Sequence, residues 1–346
     1  MYKMFLRSLV ILLAGMVSFE SAQVWAGELY EGKTVQFIVG ASPGGGFDTY
    51  TRAVARHFGA HLPGKPAVIV ENKPGAGGLV AANSIFTMDD PDALTIGILN
   101  PGHLVRQSLG DKNIRFDGRK FSWIGAPSKN TTACAIMGFT GMKTLADVLA
   151  AKGPIKMGAV RDGTDTADFP KIMNGILGTN FEVITGFQGT AKVRLALQTK
   201  EVMGACWGWE SMRVTAKSML HATGDNKLIP FIIHSKEDDP EVRDLPLFTE
   251  AIKDEDNRAL YEAWSAPNNF MRVLFLSPSA PKDRLAVLRK AFKATLEDPE
   301  FVKEAEKSKL DVTYVSGEAV DGYVKKIFSM TPAMKKNLRK WLNIKG

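Results

Sequence analysis

The stretch from Phe37 to Asp48, FIVGASPGGGFD, constrains this chain more than any other. Val35 to Val39 is an apolar run that reads as a buried strand. Three consecutive glycines follow, and a helical pattern begins near Asp48. Glycine lets the backbone enter positive φ and lets another molecule come very close. The following helix leaves its first N–H groups without intrahelical partners and aims them back at the loop. A strand–glycine loop–helix unit therefore suits an anion, a phosphate or a carboxylate. A second glycine-rich segment, ENKPGAGG, runs from Glu71 to Gly78.

Residues 1–26 read as a signal peptide. Lys3 and Arg7 give a positive start, Leu9 to Phe19 is mostly apolar, and Val24-Trp25-Ala26 places tolerated residues at the −3 and −1 positions. Cleavage is expected after Ala26, with an uncleaved anchor as the alternative. The mature chain is expected to be periplasmic. What remains of the 346 residues is too long for one ordinary core and fits two domains. The formal charge of +7 and the C-terminal run Lys335, Lys336, Arg339 and Lys340 read as a solvated helix face. Nucleic acid is not expected as a partner. Cys134 and Cys206 each sit in a β-like run, in a compartment where they could pair. Whether they meet stays open at this point.

Short apolar runs alternate with helical stretches, which predicts α/β domains with mainly parallel sheets. Strands are expected at Val35–Val39, Ala67–Glu71, Thr95–Ile98, Ala133–Met137, Ile155–Ala159, Glu182–Thr185, Val202–Trp207, Leu228–Ile233 and Val273–Ser277. The segment 236–270, rich in Asp, Glu, Pro and Asn, reads as connecting structure. One strand and several helices after it cannot form a domain alone. The expected division is therefore 27–125 with 237–346 as a discontinuous first domain and 126–236 as an inserted second. Two crossings make a hinge and leave a cleft, and ligands in open α/β sheets sit at the carboxyl ends of strands.

Several loops end such strands. Asp48 follows the glycines as an N-cap, a ligand-orienting group, or both. Asn100-Pro101-Gly102-His103 offers fixed donors. Arg161-Asp162-Gly163-Thr164-Asp165-Thr166 and Thr185-Gly186-Phe187-Gln188-Gly189-Thr190 repeat the glycine-loop logic in the second domain. Trp207 and Trp209, spaced by two, would face one way in a strand, either into the core or into the cleft.

Enzyme and metal motifs fail. Gly59 to Lys65 matches the start of a phosphate-binding P-loop, but Pro66 replaces its Ser or Thr. His57 and His61 are four apart without a third ligand, so no metal is expected. No nucleophile elbow is present. No catalytic residue and no cofactor is expected.

The chain resembles the extracytoplasmic receptors of the tripartite tricarboxylate transporter system, also called Bug proteins. Pro43, Gly44, Gly45 and Asp48 match the family's P-G-G-x-x-D loop. Val70, Glu71, Asn72, Pro74, Gly75, Ala76, Gly77 and Gly78 match V-E-N-x-P-G-A-G-G. Asn100-Pro101, Gly163-Thr164, Phe187-Gln188-Gly189-Thr190 and Ser277-Pro278-Ser279-Ala280-Pro281 resemble further family segments. The resemblance implies a two-domain periplasmic-binding-protein fold of the Venus flytrap kind, type II-like, with a cleft between domains. It implies a small carboxylate ligand, membrane transporter subunits as partners, and a monomer. One carboxylate would meet Gly44, Gly45, Gly46, Phe47 and Asp48, helped by Asn100, Gly102 and His103. The other end would meet Gly163, Thr164, Asp165, Thr166, Phe187 and Gln188. Phe187 replaces the usual Tyr, Lys192 and Arg194 stand in a helix that usually carries an acid, and Trp207-Gly208-Trp209-Glu210 replaces an Asp-rich segment. If Trp207 and Trp209 line the cleft, an aromatic or larger carboxylate is expected. The alternatives are an exported enzyme acting on a small anion, with Asp48, His103, Asp162, Asp165 or Glu210 as acid or base, and a sensor subunit that presents ligand.

Overall fold

The structure is a computed structural model and describes residues 29–344 apart from 42, 45, 188, 237 and 238. The signal peptide, Gly45 and Gln188 lie outside the described residues.

Two sheets organise the chain. The first has six strands in the order β11-β4-β10-β3-β1-β2, made from Thr34–Val39 (β1), Ala67–Asn72 (β2), Thr95–Leu99 (β3), Ser122–Ala126 (β4), Val273–Leu276 (β10) and Val315–Ser316 (β11). The second has five, in the order β7-β6-β8-β5-β9. They are Thr132–Met137 (β5), Ile155–Gly158 (β6), Phe181–Ile184 (β7), Gly204–Gly208 (β8) and Leu228–Ile233 (β9). All nine expected strands form. The sequence reading missed β4, whose Ser-Trp-Ile-Gly-Ala run is short, and the two-residue β11.

The sheets are mixed rather than mainly parallel, and the reason is topological. β1 to β4 all run one way, while β10 sits antiparallel between β3 and β4, and β11 antiparallel on β4. In the second sheet β6, β7, β8 and β9 share a direction and β5 opposes them. β5 and β10 are the first strands after the two crossings between sheets. A chain crossing from the carboxyl ends of one sheet enters the next at its carboxyl ends, so it must run backwards. The crossings lie side by side: Met271 N–H donates to Ser128 O (2.9 Å) and Asn130 N–H to Asn268 O (2.7 Å).

Helices cover both sheets. Gly46–Phe58 (α1) buries Tyr50, Ala53, Val54 and Phe58 against β1, with Phe58 edge-on to Phe37 at 5.3 Å. β1 is buried on both faces: Val35, Phe37 and Val39 enter one apolar cluster and Ile38 the other. That two-sided burial explains its continuous apolar run. The segment read as connecting structure is not passive. Val242 joins the core of the second sheet, Ile233 bridges Leu247, and Phe248, Tyr261 and Trp264 gather around Phe169. The strand that rejoins the first sheet, β10, begins at Val273. In the segment before it, apolar residues were diluted among charged ones, as expected for amphipathic helices such as Glu255–Ser265.

β5 and β8 place Cys134 opposite Cys206, and the two form a disulfide at a fully buried position. The bridge closes a loop of 72 residues in sequence separation. Replacing both by alanine should lower unfolding free energy by about 2–4 kcal/mol, the usual range for removing a disulfide. Urea unfolding at pH 7 checks this; an unchanged midpoint would show that the bridge adds nothing.

Candidate functional site

The two glycine loops meet at the carboxyl ends of β1 and β2. A Cβ on Gly40 would fall 2.4 Å from the Cα of Gly78, so the two backbones touch where no side chain fits. Gly78 itself has φ +97°, and the helix Leu79–Phe86 (α2) starts directly after it. Above this junction lies a hollow of about 320 Å³, lined by Gly40, Ala41, Phe47, Pro74, Gly75, Gly77, Gly78, Ile98, Asn100 and Arg161. The first turn of α1 faces the same loop. No carboxylate is among the lining residues, and Arg161 is their sole charge.

Asp48 braces the loop. It is buried and accepts from Gly44 N–H (2.8 Å), Arg52 Nε (2.9 and 3.0 Å) and Asn72 Nδ2 (2.8 Å). Arg52 in turn donates to Asn72 Oδ1 (2.7 Å), and Asn72 Nδ2 also reaches Ala41 O (3.0 Å). Burial alone would raise the Asp48 carboxyl, but the hydrogen bonds from Arg52, Gly44 and Asn72 outweigh it and hold the group down at about 2. Its oxygens are thus spent on shaping the loop rather than turned to a ligand.

The third loop is built similarly. Asn100 Oδ1 accepts from Gly102 N–H (3.0 Å), opening the helix Gly102–Ser108 (α3). His103 is buried and its Nε2 donates to Gly77 O (2.8 Å), so it pins the second glycine loop. Burial and the charges of Arg106 and Arg161 push its pKa down, which keeps it neutral.

In the second unit, the loop before the helix Asp165–Leu177 (α5) is held from within. Thr164 Oγ1 donates to Arg161 O (2.7 Å), Gly163 N–H donates to Asp168 Oδ1 (3.0 Å), and Val160 N–H donates to Thr166 Oγ1 (2.9 Å). Asp165 accepts from Asn130 Nδ2 (2.8 Å) and Thr132 Oγ1 (3.1 Å). Burial raises both acids on this helix, Asp168 to about 7, in spite of Gly163 and the neighbouring Lys171 and Arg106. Phe187 is half-buried against the apolar core of this sheet. Of these residues only Arg161 lines the hollow, and the sequence reading did not single it out.

Trp207 and Trp209 do not face this hollow. Both are 3% exposed and belong to the core of the second sheet. Trp209 starts the helix Trp209–Thr215 (α7), so the strand alternation assumed for the pair ends before it. Its Nε1 donates to Asp239 (3.0 Å), and Trp209 itself lines a separate hollow with Glu210, Arg213 and Asp311. The remaining acid–base candidates are also engaged: Asp162 with Lys171 (2.5 Å) and Glu210 with the Tyr50 hydroxyl (2.9 Å). His57 pairs with Glu304 and His61 with Asp298, each at 2.8 Å, rather than with each other around a metal. Among the described residues no group of three or more His, Cys, Asp or Glu is arranged to hold a metal ion. No described helix is long and apolar enough to cross a membrane.

Comparison with known proteins identifies relatives. The family model described as tripartite tricarboxylate transporter family receptor matches residues 51–336. None of the curated proteins matches the sequence. Among solved structures, a TctC solute-binding protein from Polaromonas is 19% identical with a TM-score of 0.69, covering 90% of this chain and 99% of that one. The periplasmic binding protein BugD is 21% identical with a TM-score of 0.63, covering 91% and 99%. MatC from Rhodopseudomonas palustris, solved with bound malate, is 18% identical with a TM-score of 0.62, covering 88% and 98%. These likenesses establish the two-domain binding-protein fold.

The two buried acids predict opposite pH effects. Asp48 has a folded pKa below its unfolded value, so its contribution is present above about pH 4 and is lost as pH falls through 2. Asp48→Asn should destabilise by about 2 kcal/mol at pH 7, with the gap narrowing below pH 4. Asp168 has a folded pKa above its unfolded value, so its contribution favours folding below about pH 4 and is lost as pH rises through 7. Asp168→Asn should therefore stabilise the protein at pH 8 by roughly 2–4 kcal/mol and make no difference near pH 4. Denaturant curves for both variants across this range test the assignments; parallel pH profiles for variant and parent would reject them.

Proposed function

The chain belongs to the tripartite tricarboxylate transporter receptor family, and from that premise we propose that it captures a small carboxylate in the hollow between its two sheets and delivers it to membrane subunits of that transporter type. The observation that carries the ligand class is the lining of the hollow: glycine backbone, the Asn100 amide and one guanidinium, with no acid. Such a surface offers N–H groups and positive charge, which complement a carboxylate and repel a cation. Relatives of this fold have been solved with malate and with adipate, which agrees with that reading. Phe47, which lines the hollow, and the first turn of α1 from Gly46 form the first carboxylate's berth, with Gly44, whose N–H is held by Asp48, and Gly45 completing the same loop in sequence. Asp48, His103 and Asn72 hold the berth in shape without touching the ligand. The receptor works in the periplasm after cleavage at Ala26, as a monomer, with no cofactor and no covalent chemistry. Closing of the two units around the ligand is the signal read by the membrane partner.

Calorimetry and thermal shift on the mature protein test this, using aliphatic di- and tricarboxylates, amino acids and aromatic acids. A true ligand at 100 times its Kd should add about 2.7 kcal/mol of stability. It should also be recovered chemically unchanged by mass spectrometry. Turnover of the bound compound would overturn the receptor reading, and silence across the panel would overturn the carboxylate class. Because Trp207 and Trp209 are packed in the core, aromatic acids should show no advantage over aliphatic ones.

A further inference from the structure

We propose that Arg161 is the residue that sets charge selectivity in this receptor, pairing with a second carboxylate of the ligand and so favouring dicarboxylates over monocarboxylates. The inference rests on the carboxylate reading of the hollow and deepens it. Arg161 belongs to the loop after β6, in the second unit, yet its guanidinium lies against the second glycine loop of the first. A Cβ placed on Gly77 would come within 2.5 Å of Arg161 Nη2 and 3.0 Å of Nη1. A side chain at 77 would push this guanidinium aside, and the φ of +68° at that position independently favours glycine.

Several other charges near the hollow are cancelled in pairs. Asp48 holds Arg52, Arg106 holds Asp111 (2.9 Å), and Asp162 holds Lys171. Among the described residues, nothing forms a hydrogen bond or ion pair with the Arg161 side chain, whereas its own carbonyl is fixed by Thr164. An unpaired guanidinium at the rim of a hollow with no acid in its lining is an open fork for a carboxylate, which it can bind bidentately. The first carboxylate sits in backbone N–H groups of one unit and the second reaches a side chain of the other. A dicarboxylate thereby bridges the units, while a monocarboxylate leaves Arg161 unmatched.

The test compares binding of succinate, glutarate and adipate with that of their monoamides, by calorimetry on the mature protein and on Arg161→Gln and Arg161→Lys. Arg161 is exposed, so the variants should fold, and ligand-free melting curves confirm it. The parent should bind its best dicarboxylate at least tenfold more tightly than the matching monoamide. Arg161→Gln should bring that ratio close to one by weakening the dicarboxylate alone, and Arg161→Lys should restore part of it. An unchanged ratio in Arg161→Gln, equal weakening of both ligands, or a parent without preference would overturn the proposal while leaving the carboxylate reading intact. If neither dicarboxylates nor monoamides bind the parent, the carboxylate reading falls and the proposal with it.

Discussion

Gly40 and Gly78 bring two loops closer together than any pair of side chains would permit, and the site depends on that contact. With a Cβ at Gly40 falling 2.4 Å from the Gly78 Cα, a larger residue would have to part the loops. Parting them would separate the start of α1 from the start of α2 and open the wall of the hollow that both loops line. Everything nearby serves to keep the contact. Asp48 ties Gly44 to Arg52 and Asn72, Asn72 ties Ala41, and His103 ties Gly77. The polar side chains next to the glycines therefore face scaffold, and the backbone is left to face the ligand. This division makes sense for an anion site: a buried carboxylate in the wall would repel the ligand, whereas one neutralised by Arg52 behind the wall does not.

The two units are joined by contacts of two different strengths. The crossing ribbon is backbone, with Ser128 against Met271 and Asn130 against Asn268, so it persists whenever the protein is folded. The contacts beside it are side-chain ion pairs and stacks. Tyr50 on α1 donates to Glu210 at the start of α7, Arg272 lies over the Tyr50 ring at 3.9 Å, and Arg213 holds Asp311 at 2.9 Å. Partly exposed ion pairs of this kind contribute about 0–1 kcal/mol each and exchange readily with water. A hinge that cannot break, beside latches that break cheaply, lets binding energy from a small ligand decide between open and closed states.

How much of this was legible in the sequence follows from how local each feature is. Strands such as Val35–Val39 and the loops at their ends are encoded within a dozen residues, so apolar runs and glycine clusters revealed them. The direction of β5 and β10 was not legible, because it depends on which end of a sheet a distant chain segment enters. Trp207 and Trp209 were ambiguous for a related reason: alternation holds only while the strand lasts, and β8 ends at Gly208. Asp48 was recognised as important, but its role turned on Arg52 and Asn72, and the Asn72 contact spans 24 residues of sequence. Arg161 was visible in the sequence only as the first residue of its glycine loop, with nothing to mark its side chain. Its role became visible only when folding laid it across Gly77, more than eighty residues earlier in the chain.

The chain's overall charge of +7 is a poor guide to where an anion binds. Much of it sits on exposed side chains such as Lys336, Arg339 and Lys340, whose fields are screened within about 8 Å at physiological ionic strength. Near the hollow the fold removes charge instead. His103 is held neutral by burial and by the adjacent Arg106 and Arg161, Asp165 and Asp168 are raised by burial, and Asp48 and Asp111 are matched to Arg52 and Arg106. What survives is a single guanidinium in a hollow walled largely by backbone. In such a site the interaction with an anion is set by geometry at one residue rather than by a diffuse field, so it should weaken little with added salt once the units have closed. Selectivity among anions is then a matter of how many negative groups a ligand carries and how far apart they lie, which is the property a receptor for small carboxylates has to measure.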